Sequence, residues 1–268
     1  MSWIHRINQL PFQEKEGLYR ILIPPSLYAR FQIHPLSFTL GEGQRAVRIW
    51  GPPGDKTALV EIKLPQMEEP LYSIQISDTQ DFTQLDWDFL IVNDPRSPRF
   101  LTQVDSHGRD TLFGWASRNL EEEIKAMEAG LCPGQSRKGL GLTREAIECL
   151  EFFCRILDIR TIRLEALFYH NAITYERHGF SYFSGYPMMR SIHKEFLPGG
   201  KLYALMNGST PFRRPEMAQT VRGRSWAIHD GILLEVEDEL LGEGWSSPVM
   251  YRMVGKPRAM PTFPDPVY

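Results

Sequence analysis

Long apolar runs, surplus positive charge, paired cysteines and internal repeats are all missing from this sequence, and each absence removes a class of protein. Nowhere do eighteen apolar residues follow one another, so no membrane span is expected. The formal net charge is −3, which gives no general attraction to a phosphate polymer and argues against a dedicated nucleic-acid binder. Any anion site must be local. Only three cysteines occur, Cys132, Cys149 and Cys154, an odd number without metal-ligand spacing. They are expected as free thiols in a reducing cytosol, with no metal centre. The opening M-S-W-I-H-R-I-N-Q-L has polar residues scattered through it and no apolar run of signal-peptide length, so a cytoplasmic location is expected. What is present is an ordinary globular mix of 42% hydrophobic and 24% charged residues. A chain of 268 residues buries a core large enough to need no staple.

From Leu18 to about Ser117, short β-rich runs recur between turn residues: 18–23, 46–50, 58–64, 71–76 and 88–92. This is the spacing of an antiparallel sheet, and Gly51-Pro52-Pro53-Gly54-Asp55 joins the second and third runs as a hairpin. One short helix, interrupted by Pro35, is expected within 26–40. Pro95 and Pro98 mark a division, giving a β-rich part over 1–95, a core over 96–207 and an extension over 208–268. Beyond the division, 99–105 and 111–116 flank a turn whose tip, His107, reads as a solvated loop residue. Glu121, Glu122 and Glu123 then lead into a strand expected to run to Leu131.

The loop from Gly134 to Gly141 follows, with the makings of a phosphate cradle. Glycines let the backbone turn tightly, and the first N–H groups of a helix have no intrahelical partners, so an anion can accept from them. A Walker loop fails, because Leu140 and Gly141 stand where Lys and Ser or Thr are required. A dinucleotide fingerprint fails as well, because Arg144 occupies its third glycine position. After the loop, Leu142, Ala146, Ile147, Leu150, Phe153, Cys154 and Leu157 fall three and four apart, the stripe of a helix packed on a sheet. Alternation from Ile162 to Phe168 then predicts a strand, and strand, loop, helix and strand make a βαβ unit with parallel strands.

The loop Ser136-Arg137-Lys138-Gly139-Leu140-Gly141 resembles the acetyl-coenzyme-A loop of the GNAT N-acetyltransferase superfamily: Gln or Arg, two residues, Gly, one residue, Gly or Ala. Ser136 departs from the first position of that pattern. The segment Tyr175-Glu176-Arg177-His178-Gly179-Phe180 resembles the second signature of the superfamily, a short helix bearing a tyrosine, a glycine stop and a phenylalanine opening the next strand. The run from Asn171 to Tyr175 is shorter than the family usually shows. The resemblance spans 123–207 and implies a GNAT-like α/β (α+β) fold: a twisted, mostly antiparallel sheet with a splayed parallel pair and a βαβ cofactor unit.

It also implies roles. Leu131 and Cys132 would offer backbone groups to the pantetheine and acyl carbonyl, Ser136, Arg137, Lys138, Gly139, Leu140 and Gly141 would hold the pyrophosphate, and Asn171 would contact the cofactor. Tyr175 is the candidate general acid for the leaving thiolate, and Glu123 and Glu128 are candidate general bases. His170 is a further candidate relay, and a nucleophilic Cys132 is disfavoured because nothing places a histidine beside it. The implied activity is acyl transfer from acetyl-coenzyme A, or another acyl-coenzyme A, to a small-molecule or peptide amine by direct attack. Two alternatives stay open: transfer from an acyl carrier protein, as in autoinducer synthases, and a non-catalytic acyl-coenzyme-A-binding module that recognises a partner. A homodimer is compatible with each. After the core, a strand is expected at 180–183, a short helix within 187–196, a strand at 201–206, a basic loop around Arg213 and Arg214, a helix from Asp230 to Leu241 and an extended tail from Pro261.

Overall fold

The computed structural model describes residues 3–41, 43–105, 107–111, 117–256 and 263. Its helices are α1 (Ile4–Ile7), α2 (Phe12–Tyr19), α3 (Pro25–Arg30), α4 (Leu120–Glu128), α5 (Thr143–Ile156), α6 (Tyr169–Arg177), α7 (Tyr186–Glu195), α8 (Lys201–Leu205) and α9 (Val221–His229). Its strands are β1 (Val47–Trp50), β2 (Thr57–Ile62), β3 (Tyr72–Asp78), β4 (Leu85–Val92), β5 (Thr161–Glu165), β6 (Ser181–Tyr182) and β7 (Val249–Met253). The fold is mixed α/β, with one seven-stranded sheet in the order β1-β2-β3-β4-β5-β7-β6. The first three pairings are antiparallel and β4–β5 is parallel. Among the described residues no helix is long and apolar enough to cross a membrane.

The chain forms two compact units. The first comprises Met1–Arg96, Gly139–Leu164 and Tyr251–Pro257. Strict alternation along β2 buries Ala58, Val60 and Ile62, and β3 turns Tyr72, Ile74 and Ile76 to the interior. The α5 stripe is buried at Ala146, Ile147, Leu150, Phe153 and Cys154, and the helix packs on a 3-10 turn, Arg20–Leu22. The Tyr19 ring lies 6.0 Å from Phe153, and the Tyr72 hydroxyl donates to the Leu22 carbonyl at 2.6 Å. The strand expected at 18–23 is therefore α2 and this 3-10 turn. Tyr19, Leu22 and Ile23 are buried three and four apart, a helical spacing, and Pro24 stops the run.

A bulge between Gln75 and Ile76 of β3 sets Phe89 and Trp87 opposite them, leaving Asp88 as the extra residue in β4. Such a bulge bends its strand. Among the described residues β4 and β5 pair only through Leu85–Ile162 and Asp86–Arg163, so β4 runs on to Val92 without a ladder to its parallel neighbour.

The second unit comprises Ser97–Lys138, Glu165–Met250 and Arg258–Tyr268. A core of Met127, Phe212 and Trp226 is flanked by Ile124 and Met217. The segment expected as a strand up to Leu131 is the helix α4: the Asn119 side chain accepts from the Glu122 N–H, and three glutamates in the first turn suit the positive end of a helix. The first strand of the parallel pair is accordingly β4, and not 124–131. The strand expected at 201–206 is α8, opened by Gly200, with Leu202 and Met206 buried four apart. The helix expected from Asp230 to Leu241 is absent; Asp230 ends α9 instead, and a short 3-10 turn, Ile232–Glu235, follows. An isolated bridge, Val104–Asp110, closes the turn around His107; the rest of the strand expected at 111–116 and nearly all of the expected tail lie outside the described residues.

Candidate functional site

The glycine loop passes from one unit to the other at Lys138–Gly139, so each half belongs to its own surroundings. In the first unit, Gly139 sits so close to the end of β4 that a Cβ there would lie 3.1 Å from the Val92 carbonyl oxygen. Gly141 takes a φ of +74°, a left-handed turn that side chains resist. Helix α5 opens just after it. Leu142 stands at the N-cap and offers no capping side chain. The first-turn carboxylate, Glu145, is committed to Ser26, accepting from its N–H at 2.9 Å and its hydroxyl at 2.6 Å. Among the described residues no side chain caps the first N–H groups of α5, and such groups suit an anionic acceptor. Arg144 pairs with Glu148 at 3.0 Å on the exposed side of the helix.

In the second unit, Ser136 is buried and its carbonyl accepts from Phe100 at 2.8 Å. Arg137 donates to the Ser97 carbonyl, and the Lys138 N–H donates to the Ser97 hydroxyl at 3.1 Å. The Lys138 side chain is exposed. The Leu131 carbonyl accepts from the Trp226 indole at 2.8 Å, and the Cys132 N–H donates to the Gln135 side chain at 2.8 Å. The backbone groups expected to meet a pantetheine arm are therefore already engaged. Cys132, Cys149 and Cys154 are all free thiols. Burial pushes the Cys149 thiol up to about 11, helped by Glu145 and Glu148, and burial raises Cys154 further still, so neither is primed as a nucleophile.

The two candidate bases differ. Glu128 is exposed at the end of α4, 3.5 Å from Arg214. Glu123, on the same helix, is buried and accepts from Arg118 Nε at 2.9 Å and Nη2 at 2.5 Å. His229 Nε2 lies 3.3 Å from its other oxygen. Burial alone would raise the carboxyl, but hydrogen bonds from His229 and Arg118, with the Arg118 charge, hold it below the usual range. A carboxylate held this firmly ionised orients its partners better than it takes up a proton. Arg118 also reaches Asp230 at 3.1 Å, and Asp230 accepts from Arg213 at 2.9 Å and Thr210 at 2.8 Å.

Tyr175 lies on α6, its ring 5.7 Å from Phe180, and Gly179 ends that helix with a φ of +85°. Asn171 is drawn into the start of α6: its Oδ1 accepts from the Phe168 N–H at 3.2 Å, and its Nδ2 lies 3.3 Å from His170 Nε2. His170 is buried, and its Nδ1 lies 2.9 Å from the Ser225 hydroxyl. Burial, and after it the electrostatic influence of the neighbouring His229, drive the His170 pKa down to about 3, so the His170 ring is neutral.

No family model, curated protein or solved structure matches this chain.

The chemistry must be read from the residues themselves. A cleft of about 280 Å³ opens in the second unit, with walls of Leu167, Phe168, Ile228, Leu233 and Trp245. Ser225 and His229 line it, and Glu243 stands at its side. Phe168 organises the wall: its ring stacks 5.6 Å from His170 and meets His229 edge-on at 5.8 Å. Only glycine fits beneath it, since a Cβ at Gly134 would come within 2.6 Å of the Phe168 ring. Arg118, Ser225, Trp226 and His229 escaped the sequence reading. Ser225 and His229 are four apart on α9 and so share one helix face, a periodicity present in R-S-W-A-I-H-D. Among the described residues no group of three or more His, Cys, Asp or Glu side chains could hold a metal ion.

Proposed function

We propose that this protein is an N-acyltransferase that moves an acyl group, most simply acetyl, from acyl-coenzyme A to a primary amine. One arrangement supports this reading. A glycine turn seated on the end of β4 opens an uncapped α5, α5 leads into β5, and β5 is parallel to β4 yet leaves its ladder after Asp86–Arg163. Parting parallel strands expose backbone groups along a slot, and uncapped helix N–H groups beside a glycine turn accept a pyrophosphate. Gly139, Leu140 and Gly141, with the first turn of α5, are assigned to the phosphates, and Lys138 brings exposed positive charge beside them in the chain.

In the reaction, the neutral acceptor nitrogen attacks the thioester carbonyl, the C–N bond forms, the C–S bond breaks, the departing thiolate takes a proton from the Tyr175 phenol, and the proton shed by the nitrogen passes through water to restore that phenol. No covalent enzyme intermediate is required. Binding of acetyl-coenzyme A at 100 times its dissociation constant raises the stability by about 2.7 kcal/mol, which a thermal-shift assay reads. Absence of a shift with any short acyl-coenzyme A refutes the proposal. Tyr175→Phe is expected to keep the shift and lose turnover, and a carrier-protein thioester offered as donor tests the choice of acyl carrier.

A further inference from the structure

The proton positions beside the cleft of the second unit follow from one fixed donor. A backbone N–H cannot accept, so the Asn171 atom facing the Phe168 N–H is the amide oxygen. The other end, Nδ2, can only donate, and it lies 3.3 Å from His170 Nε2, so that nitrogen carries a lone pair and the ring proton sits on Nδ1. Nδ1–H then donates to the Ser225 oxygen at 2.9 Å. Ser225 is 2% exposed and lines the cleft, and no acceptor among the described residues takes its hydroxyl proton. A buried donor of this kind calls for a partner. Around it the walls are aromatic: the Phe168 ring packs over Gly134 between His170 and His229, and the buried Tyr169 ring meets Trp245 edge-on at 6.4 Å.

We propose that this cleft binds a small neutral molecule with an aromatic body and one uncharged oxygen, an aryl alcohol or ketone, whose oxygen accepts from the Ser225 hydroxyl. Charge weighs against the alternatives. A carboxylate finds no lysine or arginine in the lining, and His229 turns its Nε2 to the ionised Glu123, which pairs that ring whenever it is charged. An ammonium has donors only and cannot answer Ser225. Glu243 is exposed, where water screens its charge, so it offers an ammonium little for the hydration lost on entry. A plain hydrocarbon leaves the Ser225 donor unmet. The volume of about 280 Å³ lies at the small end of ligand sites, which run from roughly 300 Å³ upward, and suits one ring with a short side chain. Stacked and edge-on contacts with Phe168 and Trp245 favour an aromatic ring over a saturated one. The inference concerns the second unit alone and stands whether or not the chain transfers acyl groups.

Calorimetric titration of the full chain at neutral pH with 2-phenylethanol, ethylbenzene, phenylacetate and phenethylamine, four probes sharing one body, tests the cleft without any coenzyme. 2-Phenylethanol is expected to bind at least tenfold more tightly than either charged probe. Ser225→Ala is expected to weaken 2-phenylethanol relative to ethylbenzene by about five- to tenfold, the worth of one hydrogen bond. Retained binding of ethylbenzene shows that the variant still forms the cleft. Leu234 lines the cleft but is 64% exposed, so Leu234→Trp obstructs the site without disturbing the core and is expected to abolish binding of both neutral probes. A charged probe that binds as tightly as 2-phenylethanol, an alcohol-to-hydrocarbon ratio unchanged by Ser225→Ala, binding that survives Leu234→Trp unchanged, or no binding of 2-phenylethanol overturns the proposal.

Discussion

Replacing Glu123 by Gln is the sharpest probe of how the second unit is held together. The carboxylate receives two donors from Arg118, at 2.9 and 2.5 Å, and lies 3.3 Å from His229, with only 4% of its side chain exposed. Glutamine has one acceptor oxygen for these donors, and its amide N–H groups face donors of the same kind. Removing one partner of a buried ion pair costs about 3–5 kcal/mol. Arg118 is 21% exposed and keeps Asp230 at 3.1 Å, which places the expected loss near the lower bound, about 3 kcal/mol. For a chain of this size that is a fall of roughly 6–12 °C in melting temperature. Glu121→Gln is the control, because Glu121 is 79% exposed in its pair with Lys125 and such pairs contribute about 1 kcal/mol at most. Circular-dichroism melts of the two variants at neutral pH decide the matter; equal melting temperatures would refute the buried network. Acid supplies a second check. Glu123 titrates below its ordinary 4.5, so its contribution is complete above that pH and is lost as the pH falls through the lower native value. The gap between parent and Glu123→Gln should close on acidification, and a gap unchanged at pH 3 would contradict an ionised Glu123.

His170 gives the opposite histidine behaviour to a surface one. Its native pKa is pushed down to about 3, so the unfolded chain binds the extra proton first, and stability declines as the pH falls from about 6.5 towards 3, by up to about 1.4 kcal/mol per pH unit. Urea titrations across that range should show His170→Gln with a shallower slope; an identical slope would remove His170 as its source. Gly134→Ala forces a side chain onto a φ of +77° and into the Phe168 ring, and should cost more than the roughly 1–2 kcal/mol of the backbone strain alone, read as a loss of urea midpoint. Gly139→Val pushes a branched side chain against the Val92 carbonyl and should abolish the thermal shift with acetyl-coenzyme A; a shift equal to that of the parent would remove this turn from the phosphate site.

The strands of the first unit were legible because alternation and turn chemistry agreed. β2 alternates over its whole length, and the Pro-Pro-Gly-Asp turn before it can do little else. Helix α5 was legible for the same kind of reason, with five apolar residues buried on one stripe. Besides the helix expected from Asp230 to Leu241, which the structure replaces by the end of α9 and a 3-10 turn, three segments misled, each through composition outweighing period. The stretch from Ile124 to Leu131 reads by composition as a strand, yet Ile124 and Met127 fall three apart behind an asparagine cap and an acidic first turn. Residues 18–23 and 201–206 are rich in leucine, isoleucine and tyrosine, but their buried members recur at three and four, not at two. The site divides in the same way. The glycine loop is local in sequence and could be read directly. The cluster of Glu123, His229, Ser225 and His170 is assembled from three helices, and a single sequence gives no register between distant helices.

The chain from Phe168 to Ser225 has a direction, and that direction is stored in a peptide bond. Every side chain in it could point its proton either way in isolation; the backbone N–H at its head cannot, and so it acts as a rectifier for the ring two links on. Exchanging Asn171 for aspartate, almost the same shape, would replace the donor at Nδ2 by an acceptor. The His170 proton would then be called to Nε2, Nδ1 would become a lone pair, and the Ser225 hydroxyl would turn inward to serve it. The cleft would keep its volume and its walls and lose its donor, a change of ligand preference made by one atom outside the lining.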